Sequence, residues 1–192
     1  YKDAASPSIY VKFPFTDSVG ERVPELAGRN GAVVIWTTTP WTLPSNLAIS
    51  FDPDAIYVAV EMDGEALVVA AALQEAFFAA IGRPELGDAP AIASFPGRTL
   101  DRAACRHPFI DRESLLIVGE HVTMDTGTGC VHTAPGFGED DFVVGARYGL
   151  EAYAPVNAQG RFTSEVPEFA GRVVFDCDDD VVALLKDRGM LL

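Results

Sequence analysis

Two stretches of this 192-residue chain carry side chains whose types and spacing suit the handling of an ester. The first is Trp36-Thr37-Thr38-Thr39-Pro40-Trp41-Thr42-Leu43-Pro44-Ser45-Asn46. Val33-Val34-Ile35 reads as a strand that delivers three consecutive threonines into a turn forced by Pro40 and Pro44. In an extended segment Thr37 and Thr39 face one way and Thr38 the other. Hydroxyls donate and accept at neutral pH, so such a row can hold ester carbonyls and ribose hydroxyls without introducing charge. A threonine-rich strand with solvated hydroxyls is the plainer reading. Two prolines and two tryptophans around the row speak for a rigid placement instead.

The second stretch is Thr126-Gly127-Thr128-Gly129-Cys130-Val131-His132-Thr133-Ala134-Pro135-Gly136-Phe137-Gly138-Glu139-Asp140-Asp141. It reads as a glycine-rich turn, a short strand, a Pro/Gly loop and a helix start. No Gly-Lys-Ser/Thr follows, and the strand comes after the glycines, so this is neither a P-loop nor a dinucleotide fingerprint. Cys130 and His132 share one face of the strand. Asp140 and Asp141 fall in the first helical turn, where the dipole favours an ionised carboxylate. An anion held there can receive a substrate ammonium group, although either acid alone also serves as a helix cap.

The elements that position these motifs are short and frequently punctuated, with 17 Gly and 13 Pro. The pattern predicts strands at 9–13, 32–38, 56–61, 66–70, 91–95, 115–118, 129–133 and 153–156. Met62-Asp63-Gly64-Glu65 and Asn157-Ala158-Gln159-Gly160 read as tight turns. Helices are expected over 71–81, 139–148 and 178–188, the last two with acids first, bases last and a terminal Gly. Together these imply one α+β domain over residues 1–192, a mostly antiparallel, barrel-like sheet with peripheral helices. The net charge of −14 argues against general polyanion affinity. Three widely spaced cysteines suit a reducing cytoplasm, and no run approaches the ~18 apolar residues of a membrane span. Tyr1 leads through Lys2-Asp3-Ala4 into an extended pattern, and the chain reads as a monomeric piece of something longer.

The two motifs together resemble the paired signatures of the editing domain (connective peptide 1) of isoleucyl-tRNA synthetase. The family pattern is Trp-Thr-Thr-Thr-Pro-Trp-Thr-Leu-Pro-x-Asn, followed by Gly-Thr-Gly-x-Val-His-Thr-Ala-Pro-Gly-x-Gly-x-Asp-Asp. Ser8-Ile9-Tyr10-Val11-Lys12-Phe13-Pro14 and Gly171-Arg172-Val173-Val174-Phe175-Asp176 resemble the edges of the same insertion. The valyl and leucyl relatives share the Thr-Thr-x-Pro and Gly-Thr-Gly cores but lack Trp-Thr-Leu-Pro and Val-His-Thr-Ala-Pro-Gly. The synthetic signatures His-Ile-Gly-His and Lys-Met-Ser-Lys-Ser are absent, so amino-acid activation is not expected of this chain.

The resemblance implies hydrolysis of valine mischarged on tRNA specific for isoleucine, giving free valine and intact tRNA. A pocket discriminates one methylene by only about 1–3 kcal/mol, a limit whose standard illustration is isoleucine against valine in this very synthetase. A second pocket that excludes isoleucine by bulk is the remedy. By the same resemblance Asp141 holds the α-ammonium, and Thr37, Thr38 and Thr39 position the terminal adenosine and the ester. His132 meets a ribose hydroxyl or forms the pocket wall. Trp41 is wall or scaffold, Thr42 and Asn46 hold the loop or the water, and Thr133, Gly136 and Asp140 complete the substrate site. No metal or organic cofactor is implied. The implied partners are the 3′ aminoacyl-adenosine end of tRNA, valine and the remainder of the synthetase; no membrane is involved.

Two positions depart from the family pattern: Cys130 stands where Ala is usual, and Phe137 where His is common. Cys130 beside His132 raises a rival thiol mechanism, set against a small buried apolar residue. A non-catalytic binding module and a valyl-type domain clearing threonine are further alternatives. His107 and His121 are read as loop or surface residues, and Cys105-Arg106-His107 lacks the second ligand pair of a zinc site. Arg98, Arg102, Arg106 and Arg112 either meet the tRNA acceptor end or pair with Asp101, Asp111 and Glu113.

Overall fold

The computed structural model describes residues 8–192, so the run from Lys2-Asp3-Ala4 lies outside the described residues. The strands are β1 (Ile9–Pro14), β2 (Gly31–Thr37), β3 (Ala48–Phe51), β4 (Ile56–Met62), β5 (Glu65–Ala70), β6 (Ala93–Pro96), β7 (Ala104–Arg106), β8 (Glu113–Val118) and β9 (Cys130–Thr133). The α-helices are α1 (Asp17–Arg22), α2 (Gln74–Ala80), α3 (Glu139–Arg147) and α4 (Asp178–Asp187). One sheet runs β1-β2-β5-β4-β6 and the other β7-β8-β3-β9.

Alternation along the strands explains how these sheets stack. In β2, Val33 and Ile35 enter one core with Phe13, Leu43, Phe51 and Cys130. Ala32 and Val34 enter a second core with Val58, Val60, Leu67, Val69, Phe77 and Phe78. Side chains of period two thus give the first sheet two apolar faces. One faces the second sheet; the other is covered by α2, whose Phe77 and Phe78 are fully buried. The outer face of the second sheet packs Ala48 and Ile117 against Val144 of α3. The layers are therefore helix, sheet, sheet and helix, with the main core between the sheets.

The α+β class and the mainly antiparallel pairing agree with expectation, apart from the parallel pairs β2–β5 and β3–β8. The barrel does not close. Residues 190–192 pair along β1 at one edge of the first sheet, and an isolated bridge between Phe15 and Cys105 joins the two sheets at one corner. Residues 153–156 form no strand; Val156 makes a lone bridge to Phe162 across the Asn157–Gly160 turn. The pattern also missed α1, β3 and β7, all short elements. The expected hairpin at Met62–Glu65 is present: Asp63 and Gly64 take φ of 52° and 87°, the two positive values of a type I′ turn.

The glycine-rich turn before β9 is held against the first sheet. Thr128 donates its hydroxyl to the Val34 carbonyl (2.6 Å), and its own carbonyl accepts Ala70 N–H (2.8 Å). Gly129 sits at φ 76°, and a Cβ there would lie 2.6 Å from Ala70 Cβ, so no side chain fits. The buried Tyr57 hydroxyl accepts Asp52 N–H (2.9 Å) and donates to the Gly129 carbonyl, tying β4 to this turn. Tyr57→Phe leaves two buried backbone groups unpaired and is expected to cost about 1–3 kcal/mol. A urea denaturation midpoint equal to that of the parent chain contradicts this.

Candidate functional site

The end of β2, the short 3-10 helix Pro40–Ser45, β9 and the start of α3 converge on a cavity of about 280 Å³. It is lined by Thr37, Thr39, Trp41, Thr42, His132, Ala134, Phe137 and Asp141. A neighbouring cavity of about 300 Å³ is lined by Trp36, Thr38, His121 and the Gly127-Thr128-Gly129 turn, and Thr37 borders both. The strand alternation thus sorts the threonine row: Thr39 faces one cavity, Thr38 the other, and Thr37 stands on the boundary. Thr37 Oγ1 accepts Thr39 N–H (3.0 Å), which leaves its own proton available for donation.

The buried polar chain behind the first cavity fixes its chemistry. Asn46, fully buried, accepts from Ser114 Oγ (2.7 Å) and donates through Nδ2 to the Ala48 carbonyl (2.9 Å). A carbonyl only accepts, so that contact fixes the amide orientation. The remaining Nδ2 proton points to His132 Nδ1 at 2.8 Å. His132 therefore carries its proton on Nε2 and donates to Thr42 Oγ1 (3.0 Å), which passes its proton to the Thr39 carbonyl (2.9 Å). Burial pushes the His132 pKa down to about 4, and the imidazole is neutral at pH 7. With Nδ1 accepting and Nε2 donating, no lone pair is free to take a proton from water. This imidazole is wall and brace, not a general base.

Asp141 lies in the first turn of α3. Its Oδ2 accepts Ala134 N–H (2.9 Å), leaving Oδ1 for an incoming cation. Desolvation raises its pKa, against the opposing pull of the Ala134 N–H and the nearby His121. A half-buried carboxylate of this kind gains from a cationic partner. Gly138 next to it is close-packed, since a Cβ there would lie 3.1 Å from the carboxyl carbon.

Four residues expected in the substrate site lie outside the cavity: Asn46, which stands behind it on His132, and Thr133, Gly136 and Asp140. Thr133 is fully buried, donating to the Val131 carbonyl (2.9 Å) and bonded to Ser50 Oγ (2.7 Å). Gly136 lies against the Tyr153 carbonyl, which a Cβ would meet at 2.3 Å, so its part is to set the loop. Asp140 is exposed and faces a separate groove with Glu120, His121, Glu139 and Arg147.

The thiol arrangement is also absent. Cys130 Sγ turns into the core, 3.9 Å from the Val68 carbonyl, and burial raises its pKa well above normal. Both His132 nitrogens are engaged elsewhere. The strand face suggested a pair, but the inter-sheet core takes the sulfur.

Other residues of the site were not legible locally. His107 is buried, not a surface residue: Nε2 donates to the Leu43 carbonyl (2.7 Å), and Nδ1 accepts Ile110 N–H (3.0 Å). Arg112 donates to the Pro44 carbonyl (2.6 Å) and lies over the Tyr153 ring. Both hold the turn that carries Trp41 and Thr42. Arg98 pairs with Asp54 instead of Asp101, and Arg102 lies over Tyr148. Asp178, at the start of α4, accepts Trp41 N–H (2.9 Å). Phe137 and Phe175 pack edge-on to the Trp41 ring, each centroid 5.2 Å away. His121 borders both the second cavity and the acidic groove.

Comparison with solved structures gives the class first. The Plasmodium falciparum cytosolic leucyl-tRNA synthetase editing domain superposes with a TM-score of 0.72, covering 96% of this chain and 98% of that one at 10% identity. The fold is therefore that of the editing domains of class I aminoacyl-tRNA synthetases. No family model matches the chain. Isoleucine–tRNA ligases of Geobacter sulfurreducens and Desulforamulus reducens are each 50% identical across the whole chain, which spans 20% of their length. Along its whole length the chain thus matches one segment, about a fifth, of isoleucine–tRNA ligases, in the fold of synthetase editing domains.

His107 and His132 share a consequence. Unfolded imidazoles bind protons near pH 6.5, whereas burial holds the folded pKa values down, to about 3 for His107 and about 4 for His132. Each stabilises the fold fully at neutral pH, and that stability drains as pH falls from about 6.5 toward the folded values. From pH 7 to pH 5 the two together are expected to cost about 4 kcal/mol of unfolding free energy. Urea titrations at the two pH values measure it, and equal stabilities contradict neutral burial of the pair.

Proposed function

We propose that this domain hydrolyses the aminoacyl ester of valine mischarged on isoleucine-specific tRNA and rejects the isoleucyl ester by size. The observation that carries the reading is the pair of adjoining cavities divided by Thr37, with Asp141 in one and the Gly127-Thr128-Gly129 turn beside the other. The amino-acid end occupies the Asp141 cavity. The terminal nucleoside lies across Thr38 and the glycine turn. The ester crosses between them at Thr37.

The roles follow from the donors available. Asp141 Oδ1 takes the α-ammonium, the charge that separates an aminoacyl ester from a blocked one. The free Thr37 hydroxyl donates to the carbonyl oxygen, where negative charge grows as water adds. Thr39 lines the same cavity and orients the ester or the water. His132 and Thr42 supply a fixed polar wall and take no proton. An aminoacyl ester is already activated, and the vicinal ribose hydroxyl can assist the water, so holding reactants in register supplies much of the rate. This chemistry needs no metal or cofactor.

Aminoacyl-tRNA deacylation tests the reading. The chain is expected to release valine from valyl-tRNA for isoleucine and to leave isoleucyl-tRNA intact. Asp141→Asn keeps an acceptor for Ala134 N–H and removes the charge. Losing a charged hydrogen bond worth about 1.5–3 kcal/mol slows valyl release roughly 10- to 150-fold. Equal rates on valyl-tRNA for the variant and the parent chain sink the ammonium assignment.

A further inference from the structure

We propose that His121 holds the sugar of the terminal nucleoside by hydrogen-bonding the hydroxyl next to the ester; this rests on the functional reading above. An aminoacyl nucleoside has three parts in a row: the amino acid with its ammonium, the sugar that carries the ester, and the base. A side chain that borders the nucleoside cavity and also lies close to the ammonium carboxylate stands at the middle part. His121 meets both conditions. It lines the second cavity with Thr37, Thr38 and the glycine turn, and it borders the groove that Glu139 and Asp140 form at the start of α3. The imidazole is also near enough to Asp141 to favour the ionised carboxylate.

Its ring is held in place and has hydrogen-bonding capacity left over. His107 and His132 have both ring nitrogens engaged. His121 Nε2 is covered by protein, yet it has no partner among the described residues. A buried polar atom without a partner is uncommon in a native fold and calls for a reason. The backbone here is a turn: Gly119 N–H donates to the Phe51 carbonyl (2.9 Å), and the N–H of buried Val122 reaches the Gly119 carbonyl (3.4 Å). The ring folds back over Gly119, where a Cβ would meet Cε1 and Nδ1 at 2.6 Å, so glycine alone leaves room for it. Turning the ring about its Cβ–Cγ bond presents a nitrogen to the cavity, a side-chain adjustment common on binding. The charges nearby select the ligand group. No lysine or arginine lines this cavity among the described residues. Glu120, Glu139 and Asp140 border the same imidazole and repel a phosphate, whereas a sugar hydroxyl carries no charge.

The test uses valine joined to the sugar of adenosine through an amide, which cannot hydrolyse, prepared with and without the neighbouring hydroxyl. Of the 2′- and 3′-linked isomers, the one that the parent chain binds more tightly is taken. Titration calorimetry is run on the full chain, His121→Ala and His121→Gln. One neutral hydrogen bond predicts that the parent chain binds the hydroxyl-bearing compound about fivefold more tightly. His121→Ala brings that preference below about twofold and leaves the affinity for the deoxy compound unchanged. His121→Gln, which still donates and accepts, keeps part of the preference. No preference in the parent chain, a preference kept in His121→Ala, or equal weakening of both compounds overturns the assignment and leaves the functional reading standing. If the parent chain binds neither compound, the functional reading and this inference fail together. Should His121→Ala fail to fold, nitrogen-15 NMR of the parent chain decides. His121 ring signals that shift only with the hydroxyl-bearing compound support the contact; signals that move with both compounds alike, or with neither, overturn it.

Discussion

Everything at this site hangs on one chain of buried hydrogen bonds: Ser114 to Asn46, Asn46 to His132, His132 to Thr42, and Thr42 to the Thr39 carbonyl. It joins β8, the segment entering β3, β9 and the proline turn, four pieces of backbone that no run of sequence connects. Each member is satisfied, which is the condition under which a buried polar network specifies a structure and does not weaken it. Direction is also fixed, because the chain begins at an amide held by one carbonyl and ends on another. The threonine row is thereby set at a defined distance from Asp141.

That arrangement favours positioning over proton transfer. A neutral imidazole with both nitrogens engaged offers a fixed polar wall. The one group with a strong electrostatic preference is Asp141, whose burial penalises the bare charge and so favours an ammonium partner. The acidic balance of the chain takes on a narrower meaning here. On the proposed reading, a net charge of −14 suits a contact confined to one terminal aminoacyl-nucleoside, and the chain spans 20% of the length of the relatives it matches.

Much of this was legible along the sequence, for physical reasons. Short apolar, Val- and Ile-rich runs predicted β1, β2, β4 and β5 closely, because the first sheet is buried on both faces; β9, in the second sheet, was marked by the glycines before it. The Asp-Gly turn and the acidic starts of α3 and α4 carried their own local chemistry. Thr37, Thr39, His132 and Asp141 lie together because the first motif leaves β2 and the second leaves β9, strands of the two stacked sheets. What stayed hidden depends on pairings across long separations. His107 and Arg112 look like loop residues until the carbonyls of Leu43 and Pro44 are found against them. Thr133 sits inside a motif, yet the antiparallel β3–β9 register turns it to Ser50 and away from the cavity. The barrel expected from many short strands failed to close because no edge of one sheet finds a full partner in the other.

The claim that the site works through a locked, neutral His132 is open to direct measurement. Nitrogen-15 NMR of the imidazole reports the protonation of each ring nitrogen. The account predicts protonated Nε2 and unprotonated Nδ1 from pH 8 down to pH 5, with titration only near the depressed value of about 4. A proton on Nδ1 at neutral pH, or titration near the ordinary 6.5, would contradict it and return His132 to contention as a general base.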